Sequence, residues 1–480
     1  MKISRRLAIV FTIALIVAAS AIVAIIAALP TILDAARGET EINRLLLAKK
    51  LRTLKIAGPL KISLWPNLGI ELGQSTLSEH ASTAVFAKLD SARLSLQWWP
   101  LLSRRIVIDA IELDGLKLAV ERDKDGRLNI ADLLESGPGE KWPFDISSIQ
   151  LTAGQLTWRD LLLEREISLN DLTLRTGRIA SDGAPTQGKL ELSGQLHSPH
   201  NPQLETKLGI TTQYALNLAE PHYAASQLAL QLTGHLNNIQ ADEFDLKIAA
   251  LEVSGKQAAM TAKINGLTLN AKSAPLALAL IVAAPELQLT TNTVHSAALT
   301  LTFAADTNED VALRGRIETP LVADFIARTV TLDGIAAELD IAAPRKFSRP
   351  LKFSLRGHVD GNLAQTTASA ELNGKLDASK LAMQINITRL TPPAIRFALD
   401  IDQLNADDYL KPSPAGSAGK PATKPATKPA AAALPVMPAN LDLQGTLKVG
   451  NLQASGIKAH QLRLTIATRG GRLTATTEPH

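Results

Sequence analysis

Glu121, Asp123, Asp125, Gly126, Leu128 and Asp132 stand at positions 1, 3, 5, 6, 8 and 12 of a calcium-loop template. Oxygen donors at that spacing, around a turn glycine, could wrap a hard cation. The flanks point elsewhere. Leu116-Lys-Leu118-Ala-Val120 alternates like a strand, where the template needs a helix, and Asp132 is shorter than the bidentate Glu used at the twelfth position. The competing reading is an acidic turn leading into a short helix at Leu128 to Leu134.

Other candidates for chemistry are thinner. The nine histidines are scattered, and His197, His200 and His222, with Pro199 between the first two, read as a polar loop. Asp400 and Asp402 alternate along a strand and share a face, which suits a solvated surface better than an acid–base pair. No phosphate-cradling Gly-rich loop, Gly-x-Ser-x-Gly elbow or His-Glu-x-x-His sequence is present. The absence of cysteine removes disulfides, thiolate metal sites and cysteine nucleophiles together. The chain therefore reads as a non-enzyme with no cofactor.

Composition narrows the class further. Of the 480 residues 46% are hydrophobic but only 4% aromatic, which favours a thin aliphatic layer over a thick aromatic-anchored core. A net charge of +4, with no basic stripe interleaved with aromatics, gives no footprint for nucleic acid.

The elements that would position any site are almost all strands. From about Leu54 onward, runs such as Leu228-Ala-Leu230-Gln-Leu232, Leu299-Thr-Leu301-Thr-Phe303 and Ile395-Arg-Phe397-Ala-Leu399-Asp-Ile401 alternate with period two. Each builds one apolar and one polar face. A loose repeat of apolar-polar-Gly-polar-apolar recurs at Gly194, Gly234, Gly315, Gly357, Gly374 and Gly445, where glycine predicts a bulge or bend. Asp114-Gly115, Asn265-Gly266 and Asp333-Gly334 predict hairpin turns in an antiparallel meander. Thr40 to Arg52 is a helix candidate, with a capping Thr40 and Lys49, Lys50 and Arg52 at its negative end. Trp98 and Trp99, before Pro100, predict a plug at one end of the sheet, with anchoring at a membrane interface as the alternative.

Lys2, Arg5 and Arg6 precede an uncharged run of 23 residues, Leu7 to Leu29. As a helix it would extend about 34 Å at about 1.5 Å per residue, enough to cross a hydrocarbon core about 30 Å thick. That length favours an uncleaved anchor over a signal peptide, although Ala19-Ser20-Ala21 imitates a cleavage site. The basic flank places the N-terminus in the cytoplasm and the bulk beyond the membrane. In a bacterium this predicts a single-pass inner-membrane protein with a periplasmic bulk.

Three stretches then resemble the AsmA family of inner-membrane-anchored envelope proteins. They are Lys55-Ile-Ala-Gly58-Pro-Leu60 with Leu64-Trp-Pro66-Asn-Leu68-Gly-Ile-Glu-Leu72-Gly73; Phe86-Ala-Lys-Leu-Asp90-Ser-Ala-Arg-Leu94 through Trp99-Pro100-Leu101-Leu102 to Ile106-Val-Ile108-Asp-Ala-Ile111-Glu-Leu113-Asp114-Gly115; and Asp125-Gly126-Arg-Leu-Asn129. Leu399-Asp-Ile-Asp402-Gln-Leu404-Asn405 to Asp408-Tyr409-Leu410 also fits. The chain departs from the pattern at Ile130, where the family often has Trp, and at Leu33-Asp34-Ala35-Ala36, which lacks the usual Asp-Pro. It also stops at His480, where members usually continue, so a shortened C-terminus is expected.

The resemblance implies a mostly β fold: an elongated, curved antiparallel repeating β-groove, taco-like, with one N-terminal transmembrane helix and one short soluble helix. The expected organisation is an anchor at 1–30, a family-like N-terminal module at 31–140, the repeating groove at 141–410, a Pro/Ala/Lys-rich flexible linker at 411–439 and further strands at 440–480. It further implies shielding or conduction of phospholipid between inner and outer membrane, in support of outer-membrane assembly. Acyl chains need apolar area and no specific hydrogen bonds, which an aliphatic strand face offers. The candidate lining is Leu228, Leu230, Leu232, Leu299, Leu301, Phe303, Phe353, Leu355, Phe397 and Leu399. Alternation leaves open which face is inward, since a one-residue slip inverts it. The alternative is a structural or assembly factor that binds envelope or outer-membrane proteins along exposed strand edges without carrying lipid.

Overall fold

The computed structural model describes residues 43–44, 46–47, 50–63, 67–97, 99–100, 106–134, 144–180, 185–199, 204–217, 222–236, 239–255, 260–274, 277–307, 311–345, 347–390, 392–409, 441–454, 457–469 and 472–477. The expected anchor Leu7–Leu29, Trp98 and the linker 411–439 lie outside the described residues. Among those described, no helix is long and apolar enough to cross a membrane. The protein is mostly β and divides into two compact units, Met1–Gln257 and Ala258–His480.

Unit 1 opens with short strands: β1 (Leu54–Ile56), β2 (Leu60–Ser63), β3 (Leu68–Leu72), β4 (Ser75–Ser78), β5 (Val85–Leu89), β6 (Ser91–Leu96), β7 (Ile106–Asp114), β8 (Lys117–Arg122) and β9 (Phe144–Ile146). Two antiparallel ladders form, β2-β3-β6-β7 and β1-β4-β5-β8. β10 (Ile149–Asp160) joins them, pairing in parallel with β7 along its first half and with β8 along its second. From β10 an antiparallel ladder continues through β11 (Arg165–Thr176), β13 (Thr186–His197), β14 (Glu205–Asn217), β15 (His222–Leu236) and β16 (Ile239–Ser254); the two-residue β12 (Ile179–Ala180) pairs with β9. Each described residue between Asn43 and Lys50 is helical, and a short helix covers Ala131–Leu134.

Unit 2 is one long ladder: β17 (Thr261–Ser273), β18 (Leu278–Thr290), β19 (Thr293–Thr307), β20 (Val311–Asp324), β21 (Thr329–Ala342), β22 (Leu351–Asn362), β23 (Thr367–Leu376), β24 (Ser379–Leu390), β25 (Pro393–Asn405), β26 (Asp442–Ala454), β27 (Ile457–Arg469) and β28 (Arg472–Thr477). Neighbours in sequence are neighbours in the sheet, and all described pairs are antiparallel except β25–β26. Parallel pairs thus interrupt the expected meander at two places in the chain. In both places the described strands are far apart in sequence, β8 ending at Arg122 and β9 starting at Phe144, β25 ending at Asn405 and β26 starting at Asp442, which leaves the length that a parallel return along the strand needs.

The three dipeptides expected at hairpin turns lie elsewhere. Gly115, Gly266 and Gly334 have φ of 65°, 63° and 80°, but none sits at a hairpin tip. Asp114-Gly115 separates β7 from β8, which run on along the same neighbour, β10. Asn265-Gly266 lies inside β17, with unbroken register against β18, and Asp333-Gly334 inside β21 at a register shift against β22, which is a bulge. A bulge glycine and a hairpin turn need the same positive φ, so the residue types coincide. Gly266 falls across from Pro285 and Gly334 near Pro320, each proline lacking the N–H that a regular ladder would use.

The repeat glycines mostly make room. A Cβ on Gly315 would stand 2.5 Å from the Phe303 ring, and one on Gly445 2.4 Å from the Phe397 ring. Each glycine pairs with that phenylalanine across the ladder. Only some of the repeat positions, such as Gly234 beside a register shift, also mark a bulge. Trp99 is 82% exposed and plugs nothing.

Candidate functional site

The pairing puts the alternating apolar residues in rows across each unit. In unit 1 one row runs Leu151, Leu174, Leu192, Ile210, Leu230, Leu246. Its first three members are buried, and its last three are half-buried. Leu232 sits between Leu208 and Phe244, and Leu228 beside Ile248, on the same face. In unit 2 a row crosses from Leu269 through Val282, Leu301, Ile317, Ala337, Leu355, Gly374, Leu381, Ile401 and Val449 to Leu462. Beside it run Leu280, Phe303, Gly315, Leu339, Phe353, Leu376 and, further on, Met383, Leu399, Leu447, Leu464. No member of these rows is ionisable.

The ten candidate residues therefore fall on the apolar face of their own unit. Phe397 lies between Ile385 and Gly445, and Leu299 precedes Leu301 by one alternation. Leu355 is buried, and all the others are half-buried. The opposite face of unit 2 carries Arg316, Glu338, Ser354, Lys375 and Lys380 in one paired row, each exposed. Single-residue alternation thus separates an aliphatic surface from a charged one across the width of one sheet. Ile210, Leu246, Ile317, Leu339, Met383 and Leu447 belong to the same rows and are missing from the sequence-based candidates. The period-two signal marks them equally well, and only register joins them to the chosen positions.

The first part of unit 1 is built differently. Leu96, Ile108 and Val120 are fully buried, and Phe86 and Ile130 pack into a closed cluster with Leu118, Leu151 and Leu169. Arg52, expected at a helix end, is completely buried. Its guanidinium donates to Asp132 Oδ1 at 2.6 Å and Oδ2 at 2.7 Å, to the Asn129 carbonyl at 2.6 Å and to the Ser78 carbonyl at 3.0 Å. It also lies 4.6 Å from the Phe86 ring centre. Burial pushes the Asp132 carboxyl up, but hydrogen bonds and charge from Arg52, with His80 and Lys50, outweigh it and hold it below its ordinary range. Burial raises the nearby Glu79 carboxyl despite a hydrogen bond from Asn129 and the Arg52 charge.

The carboxylates of the calcium-like segment do not converge. Asp132 is engaged by Arg52, Glu121 by Arg159 at 3.4 Å, and Asp123 accepts the Arg127 N–H at 2.8 Å. Among the described residues no three acidic or histidine groups gather as a metal site would require. Asp400 faces Lys448 at 3.5 Å on the polar side.

The AsmA family profile matches residues 1–476. Protein AsmA of Escherichia coli (strain K12) is 26% identical over 153 residues, which cover 30% of this chain and 24% of that protein. The chain thus matches about a quarter of the length of this curated relative. No solved structure matches.

Proposed function

Since the chain belongs to the AsmA family, we propose that it is an inner-membrane-anchored envelope protein whose aliphatic strand face shields phospholipid acyl chains in the periplasm. In this reading Leu7–Leu29 is the anchor, with the N-terminus cytoplasmic. In each unit the apolar row, through Leu230 in unit 1 and through Leu301 in unit 2, is the surface that supports lipid passage toward the outer membrane and its assembly. The observation that carries it is that no ionisable residue enters those rows, which are buried at Ala337, Leu355, Leu381 and Ile401 but half-buried at Ile210, Leu230, Leu269, Val282, Leu301 and Ile317. A folded sheet leaves so many aliphatic side chains half-covered where something apolar completes the burial. Acyl chains suit it because the face offers area and no fixed donors or acceptors.

The test is lipid carried by the full chain. The protein is extracted in polymer nanodiscs and photocrosslinked from Leu230 and Leu301, and bound phospholipid is measured by mass spectrometry. Crosslinks to phospholipid from these positions, absent from exposed Lys375 and Lys380 on the other face, are the expected result. Leu230→Asp and Leu301→Asp should remove bound lipid while the far-ultraviolet β spectrum is kept. Crosslinks only to proteins would favour an assembly factor instead.

A further inference from the structure

One end of unit 1 gathers apolar side chains that the fold does not use. β10 and β11 meet in the turn Leu161-Leu162-Leu163-Glu164, whose three leucines are 36%, 52% and 42% exposed. None of them joins the core cluster beneath. The turn is held without them. Asp160, almost wholly buried, pairs with Arg122, and its Oδ1 accepts the Leu163 N–H at 3.1 Å. The Leu161 N–H donates to the Arg122 carbonyl at 2.9 Å.

The same end is where the chain arrives from its N-terminal region. Register fixes this. Arg122 of β8 pairs with Asp160 of β10; β5 runs back from Val85 beside β8; Ser78 pairs with Val85, and Leu77 with Leu54, the first residue of β1. Lys50 donates to the Asp132 carbonyl, and the Ala81 N–H to the Leu51 carbonyl, so the helical residues pack here too. Among the described residues of unit 1, every exposed large apolar side chain except Trp99 lies at this end: Leu47, Leu51, Val85 and Leu161 to Leu163. Only residues 30–42 separate Asn43 from the apolar run ending at Leu29. Fully extended, they reach at most about 45 Å.

We propose that the Leu161–Leu163 tip dips into the outer leaflet of the phospholipid bilayer that holds the anchor, giving unit 1 a second membrane contact. The inference rests on the anchor proposed for Leu7–Leu29, because that anchor brings this end to a bilayer. A preformed apolar tip on a rigid turn enters a leaflet with little ordering cost. The charges beside it balance one another: Glu164 with Arg165 at the turn, and half-buried Asp123 and exposed Asp125 with Lys124 and Arg127 in the neighbouring loop. The contact is therefore apolar and insensitive to salt.

The chain has no cysteine, so Leu162→Cys in the full-length protein accepts a single environment-sensitive fluorophore. The protein is reconstituted into vesicles of phosphatidylethanolamine and phosphatidylglycerol, with and without a nitroxide on the acyl chain. Ser147→Cys, exposed at the opposite end of β10 in the same unit, is the control. The expected result is at least threefold stronger nitroxide quenching at Leu162→Cys than at Ser147→Cys, unchanged in high salt. A label that stays water-exposed while the protein floats with the vesicles overturns the contact and leaves the anchor standing. A blue shift without nitroxide quenching assigns the tip to a protein neighbour and also overturns it. If the protein does not float with the vesicles, the anchor fails and the contact with it. The doubly substituted Leu161→Ser/Leu163→Ser chain, labelled at Leu162→Cys, should lose most of the quenching. Unchanged quenching in that chain would mean that the leucines do not drive insertion.

Discussion

The first part of unit 1 and the ladder of unit 2 use the same alternating code with different results. Around Phe86, Leu96, Ile108, Val120 and Ile130, strands from separate ladders, the short helix and a buried arginine close over the apolar residues. In unit 2 each strand adds to the same sheet; Ile335, Ala337, Leu355, Leu376, Leu381 and Ile401 are buried in a cluster, but Leu301, Phe303, Leu339, Phe353 and Leu399 stay half-covered. The difference teaches that period-two patterning sets the chemistry of a face, while connectivity sets whether that face is sealed. Parallel returns join the ladders of the first region over its core. In unit 2 the hairpin run β17 to β20 leaves Leu269, Val282, Leu301 and Ile317 half-covered.

The strongest way to break this comparison is at the buried arginine. Arg52→Ala strands Asp132 and three carbonyl or carboxylate partners in a closed site. A loss of about 3–5 kcal/mol is expected, read as a lower denaturant midpoint for unit 1. Leu96→Ala, in the same closed region, should cost about 2–5 kcal/mol. Leu301→Ala leaves no sealed cavity and loses only about half of a leucine transfer term, roughly 1 kcal/mol. Equal losses for Leu96→Ala and Leu301→Ala, by chemical denaturation of the full chain, would show that the unit 2 face is sealed after all.

A finer probe is the contact between Gly315 and Phe303. A methyl on Gly315 meets the ring at a distance that no real Cβ tolerates. Gly315→Ala should therefore cost about 1–3 kcal/mol through overpacking. If the half-open face lets the ring swing aside, the cost falls to the low end, and adding Phe303→Leu should recover most of it. Failure of Phe303→Leu to recover stability would mean that Leu339, whose Cδ2 would stand 2.7 Å from the same methyl, and not the ring, needs the glycine.

How much of this was legible follows from what each signal depends on. Alternation marks Leu228, Leu301 and Phe397 as members of an apolar face from their sequence neighbours alone, while which face is inward depends on register. Gly115, Gly266 and Gly334 do take positive φ, but within or between strands and not at hairpin tips, because these uses of glycine demand the same kind of backbone angle. Arg52 was read as a helix-end charge, since its partners Ser78, Asn129 and Asp132 lie 26, 77 and 80 residues away. The parallel pairing of β25 with β26 had a visible cue in the long intervening stretch, but cue and register are different information. The leucine tip reads locally as a short apolar run, and only the pairing of β8 with β10 shows that it is left outside the core.

The smallest expected effect is the response to acid, and its sensitivity to salt distinguishes the two regions. Burial raises the Asp160 carboxyl, but the Arg122 hydrogen bond and charge, with the Leu163 N–H, hold it below its ordinary value; Asp132 is held low by Arg52 in the same sense. A depressed carboxyl contributes stability above its unfolded pKa and loses it as pH falls through its folded one. Glu79 is shifted the other way, so its contribution is present at low pH and fades as pH rises, which offsets part of the trend. In unit 2 the depressed carboxyl of Asp442 owes its shift first to the hydrogen bond from Arg396, and that pair is solvent-exposed. Salt should screen it, while the pairs of Arg52 and Arg122 are sheltered. Acidifying the full chain in high salt should therefore lower amide-exchange protection in β4, β8 and β10 at a pH below the ordinary carboxylate range, with β22 to β26 responding less. Equal loss in both regions would show that the buried arginines do not control acid stability, and that the sealed region owes its strength to packing alone.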